Sequence, residues 1–113
     1  VGLLYYGEMS SPLEFDDRLL AHLKVAITQK LRRGESFTLS WVHPPGREGG
    51  RTSLWIGPAS FIRYEFETAT SPEINTEWIE RLLRAASTTG GMVIVGEDAT
   101  APPTPDKAAE LSE

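Results

Sequence analysis

Residues 35–67 alternate apolar and polar side chains in three successive runs, a pattern that requires a sheet with one buried and one solvated face. In residues 35–43, Phe37, Leu39 and Trp41 share one side, and Ser36, Thr38, Ser40 and Val42 share the other. The stretch PPGREGG at 44–50 breaks the run as a loop. Residues 51–57 resume the alternation, with Thr52, Leu54 and Ile56 opposed to Ser53 and Trp55. After Pro58 and Ala59, Ile62, Tyr64 and Phe66 oppose Arg63, Glu65 and Glu67. Three runs joined by turns predict an antiparallel meander.

Segments of helical period flank the meander. Leu20, Leu23, Ile27 and Leu31 form one apolar stripe, opened by the capping pair Asp16 and Asp17 and closed by Gly34. A second helix is capped by Asn75, with Ile74 and Ile79 placed as a hydrophobic staple. It buries Trp78, Ile79, Leu82, Leu83 and Ala86, and ends at the Thr-Thr-Gly-Gly of 88–91. Residues 1–7 and 13–15 read as a hairpin, and 92–95 as an inner strand. The order β-β-α-β-β-β-α-β predicts an α+β two-layer sandwich, a mostly antiparallel sheet with two helices on one face. At 113 residues the chain has room for one core.

Net charge is −5, but it is unevenly placed. Residues 97–113 hold five carboxylates against Lys107, a net −4, with Pro102, Pro103, Pro105 and no aromatic residue. This acidic, Pro/Ala-rich tail is expected to be disordered, leaving residues 1–96 as a single domain of net −1. Between Arg18 and Arg33 there are five basic residues and no acidic one. At about 100° per residue, Arg18, His22, Gln29, Arg32 and Arg33 fall on the face opposite the apolar stripe.

Few patterns point to chemistry. The absence of cysteine rules out disulfides, thiolate metal sites and cysteine nucleophiles. His22 and His43 have no second histidine at metal-ligand spacing, and Asp16–Asp17 is explained by helix capping. The glycines of 46–50 join two strands rather than opening a helix, so they do not make a phosphate loop. No catalytic, metal or cofactor residues are therefore assigned. Two surfaces remain. Trp55 lies among Ser and Thr positions on the solvent side of the sheet, together with the Arg63–Glu67 stripe, as a platform for a protein or for stacked bases. Arg18, His22, Arg32 and Arg33, with Arg47 and Arg51, form a candidate surface for anions.

The segments VGLLYYG, DDRLLAHLKVAI, KLRRGESFTLSW and INTEWIERL together resemble a family of short actinobacterial proteins of no established function. The resemblance spans about residues 1–96, and KLRRGESF is its most distinctive stretch. Members often carry an ATP-dependent DNA ligase label. Such ligases hold their nucleotide on the lysine of a Lys-x-Asp-Gly motif, whereas the three lysines here begin KVAI, KLRR and KAAE. The resemblance implies a compact cytoplasmic domain and transfers no catalytic residue. The expected function is a non-catalytic binding or protein-interaction module, possible as a homodimer. The alternative is a nucleic-acid-associated accessory protein that contacts phosphates through the basic helix face. No apolar run approaches the ~20 residues of a membrane span, and neither a secretory leader nor a membrane partner is expected.

Overall fold

The computed structural model describes residues 1–8, 11–43 and 50–97. Six strands and two helices follow one another as the sequence pattern predicts: β1 (Gly2–Tyr6), β2 (Leu13–Phe15), α1 (Asp17–Arg32), β3 (Phe37–Val42), β4 (Arg51–Ile56), β5 (Ile62–Glu65), α2 (Thr76–Ala86) and β6 (Met92–Val93). The fold is an α+β sandwich. The helices pack against each other, α1 over β1 and α2 over β3 and β6.

The strands hydrogen-bond as two three-stranded groups, β2-β1-β5 and β4-β3-β6. The meander extends through β3 and β4 only. β5 leaves β4 and pairs antiparallel with β1, in the register Leu3↔Glu65 to Tyr6↔Ile62. β6 runs parallel to β3, with Leu39 opposite Met92. Alternation fixes which face a strand buries, but it does not specify the strand's neighbour.

Both helix starts obey the capping chemistry read from the sequence. The Asp16 carboxylate accepts the backbone N–H groups of Arg18 and Leu19, and the Asn75 side chain accepts that of Trp78. At the end of α1, Gly34 takes a positive φ of 73°. Its N–H reaches Leu31 O at 3.0 Å while Glu35 N–H reaches Lys30 O at 3.1 Å, a Schellman closure. That closure brings the Glu35 carboxylate to 3.0 Å from Lys30 Nζ. The Lys30 stem can therefore lie buried with its charge paired.

One core joins the layers. Leu4, Leu20, Leu23, Ile27, Leu39, Ile56, Leu82 and Met92 are wholly buried. Truncating any one of these leucines to alanine removes contacts worth about 2–5 kcal/mol. Gly91 lets β6 approach β3, because a Cβ there would lie 2.5 Å from the Thr38 carbonyl oxygen. At the seam between the groups, Phe15 and Trp41 meet edge-to-face with centroids 5.1 Å apart.

Candidate binding surface

The outer face of β4-β3-β6 follows directly from alternation and register. Trp55 stands opposite Thr38, Ser53 opposite Ser40, and Arg51 opposite Val42. Val93 lies beside Ser40. The Ser40 and Ser53 hydroxyls hydrogen-bond at 2.7 Å, which knits the middle of the face. None of these strand positions carries a carboxylate, and Arg51 is their one charge.

Trp55 is 65% exposed, on a strand at the edge of its group. Its backbone is held by the neighbouring group, since the Tyr6 hydroxyl donates to the Trp55 carbonyl. The same hydroxyl lies 3.4 Å from Ser60 Oγ, so the turn that carries Phe61 begins beside Trp55. Phe61 is 82% exposed, and its carbonyl accepts the Gly7 N–H at 2.7 Å. Sequence reasoning did not single out Phe61, because it immediately precedes an alternating run and reads as part of the turn. The Arg63–Glu67 stripe does not join the surface. Arg63 belongs to β5, where its guanidinium stacks 4.0 Å from the Tyr5 ring and its Nε pairs with Glu65 at 3.0 Å.

The basic helix face is not one surface. Arg32 and Arg33 are exposed at the end of α1, and Arg51 lies beyond them on β4. Arg47 lies outside the described residues. His22, expected on the outside, is wholly buried and tilted against Trp78 with centroids 4.4 Å apart. The Asn75 backbone N–H donates to His22 Nε2 at 2.9 Å. Nε2 must then carry the lone pair, and Nδ1–H donates to the Arg18 carbonyl at 2.7 Å. His22 is thus a neutral structural bridge between α1 and the cap of α2.

Arg18 stays partly exposed, but its charge is already paired. Its Nε and Nη2 donate to the two oxygens of Glu97 at 2.8 and 2.6 Å, and Nη1 donates to the Glu73 carbonyl at 2.9 Å. Asn75 Nδ2 adds a bond to Glu97 at 3.1 Å. Arg81 Nη2 donates to the Glu97 carbonyl. The Arg18 fork, then the Asn75 amide, hold the Glu97 carboxyl well below its usual range, at about 2. The same pair raises the pKa of Arg18. Glu97, counted with the acidic tail by composition, is fastened to both helices. Residues 98–113 lie outside the described residues. Elsewhere, burial alone pushes the Tyr64 hydroxyl up to about 12.

Among the described residues, no group of three or more His, Asp or Glu side chains could hold a metal ion. No helix among them is long and apolar enough to cross a membrane. No curated protein and no solved structure matches the chain. A family model described as a domain of unknown function, DUF7882, matches residues 1–97, ending on the glutamate that Arg18 and Asn75 hold. The chain belongs to the DUF7882 family.

Proposed function

We propose that this domain is a non-catalytic binding module whose contact surface is the outer face of β4-β3-β6, with a protein, including a second copy of the chain, as the partner. The observation that carries the reading is Trp55. Its indole is largely exposed on an edge strand, yet its backbone is anchored by Tyr6, so the ring is presented on a rigid support. A second exposed aromatic, Phe61, lies between β4 and β5, and no strand position of the face carries a carboxylate. Exposed aromatics on a stiff scaffold contribute contact area at low entropic cost.

Light scattering over a concentration series tests the homodimer. Association that weakens in Trp55→Ser supports it, and a monomer at high concentration removes self-association from the reading. Because Trp55 is solvated, the substitution leaves folding nearly unchanged, within about 0.5 kcal/mol.

Arg51 favours a second reading. It shares the face with Trp55, the pairing of cation and stacking ring that suits a single-stranded nucleic acid. Fluorescence polarisation with a labelled oligonucleotide decides this: binding that falls steeply with salt and with Arg51→Gln supports it, and none at low salt removes it. Ligation is not part of either reading, because no lysine of the chain stands in a Lys-x-Asp-Gly motif.

A further inference from the structure

β5 stands at one edge of its group, with β1 on one side and no strand on the other. The Gly7 N–H donates to the Phe61 carbonyl, in line with the register that runs to Leu3↔Glu65. Hydrogen-bonded positions alternate along an antiparallel pair, so Phe61, Arg63 and Glu65 turn their backbone groups toward β1. Ile62 and Tyr64 turn theirs away, and Phe66 continues the alternation. Those outward groups have no backbone partner among the described residues. The side chains of the same three residues are half-buried and pack against the core. The edge is thus a short template for one more strand, apolar on its inner face and charged at Arg63 and Glu65 on its outer face.

The order of charges on this edge matches its own copy. Two copies of β5 related by a two-fold axis run antiparallel, and the outward backbone groups meet only when the axis passes through a residue. An axis at Arg63 or at Glu65 sets a charge against itself. One at Phe66 sets Glu65 against Glu67, and one at Ile62 gives Arg63 no carboxylate. At Tyr64 the charges alternate: Arg63 of each copy faces Glu65 of the other, twice over. Ile62 then lies opposite Phe66 and Tyr64 opposite itself, so the inner face stays apolar. Within one chain Arg63 Nε already reaches Glu65 at 3.0 Å, but both side chains remain open to water, 63% and 49% exposed. An exposed pair of this kind contributes little alone, and across the axis it becomes part of a four-charge network.

We propose that β5 pairs with β5 of a second copy about a two-fold axis at Tyr64, joining two β2-β1-β5 groups into one continuous antiparallel sheet. Backbone bonds and the inner apolar side chains supply the affinity, while Arg63 and Glu65 choose the register. The pairing uses no residue of the Trp55 face, which belongs to the other group of strands. It does not rest on that reading, and it leaves that face free for a different protein.

The test is sedimentation of the full chain over a concentration series, with amide hydrogen exchange followed in parallel. Dimers are expected, and exchange at Ile62, Tyr64 and Phe66 should slow as concentration rises. Arg63→Glu and Glu65→Arg should each weaken self-association at least about tenfold, because each sets like charges opposite one another on both sides of the axis. Mixed together, the two variants should pair with each other, since every facing pair is then opposite in charge. The double variant Arg63→Glu/Glu65→Arg should associate as the parent does, and so should Trp55→Ser. A monomer at high concentration, indifference to both reversals, or variants that fail to pair when mixed would overturn the proposal. A dimer lost in Trp55→Ser but kept in both reversals belongs to the Trp55 face and overturns it as well.

Discussion

Arg18 and Glu97, separated by 79 positions, meet through a two-pronged ion pair of 2.8 and 2.6 Å. Geometry of this kind is stronger than a single surface contact, because the planar fork matches both carboxylate oxygens. Asn75 binds the same carboxylate and caps α2, so one glutamate couples both helices to the segment after β6.

The pH dependence follows from the depressed carboxyl. Glu97 stays ionised in the folded protein down to about pH 2, whereas its ordinary value is 4.5. Its contribution to stability is fully present above pH 4.5 and is lost as pH falls from there through about 2. Glu97→Gln is expected to be less stable than the parent at pH 7. The difference should shrink across that acid window in urea unfolding, and a constant difference would contradict the ion pair.

His22 offers a test with a different cause. It is buried, stacked on Trp78 and bonded through both ring nitrogens. His22→Ala leaves a cavity and an Asn75 N–H without its acceptor, so a loss of about 3–5 kcal/mol is expected. His22→Gln, which retains an acceptor, should recover part of that loss in thermal denaturation.

At Gly34 the backbone alone decides the outcome. No atom lies within 4 Å of a Cβ built there, yet φ is 73°. Gly34→Ala should therefore cost about 1 kcal/mol through the left-handed conformation, and Gly34→Asn less. Equal stability of all three proteins in urea melts would show that the Schellman turn relaxes freely.

Gly91 is the opposite case, because space as well as φ is limiting. A Cβ there would meet the Thr38 carbonyl oxygen at 2.5 Å and Thr38 Cβ at 2.9 Å. Gly91→Ala must push β6 from β3, and a loss above about 3 kcal/mol is expected. Hydrogen exchange should show it first at Ile94, whose N–H donates to the Ser40 carbonyl at 2.9 Å.

Much of the architecture was legible in the sequence, because helical and alternating periods report burial directly. The caps at Asp16 and Asn75, the stop at Gly34 and the outward side of Trp55 all follow from local chemistry. The β1–β5 pairing was not legible, since Ile62, Tyr64 and Phe66 fit against β4 or β1 with the same face inward. Nor could a helical wheel distinguish the solvent from a second helix. It placed His22 outside, where α2 in fact covers it, and could not show that Glu97 pairs with the partly exposed Arg18.

The β1–β5 ladder also bears on how the molecule is made. As the chain emerges from the ribosome, β1 can find β2 at once, but its other edge must wait for residues 62–65. Arg18 waits longer still, until Glu97 has been synthesised. β1, made before the other five described strands, is thus among the elements completed late. Synthesis stalled after α1 would leave one edge of β1 and the charged start of α1 without their partners, open to association with other nascent chains.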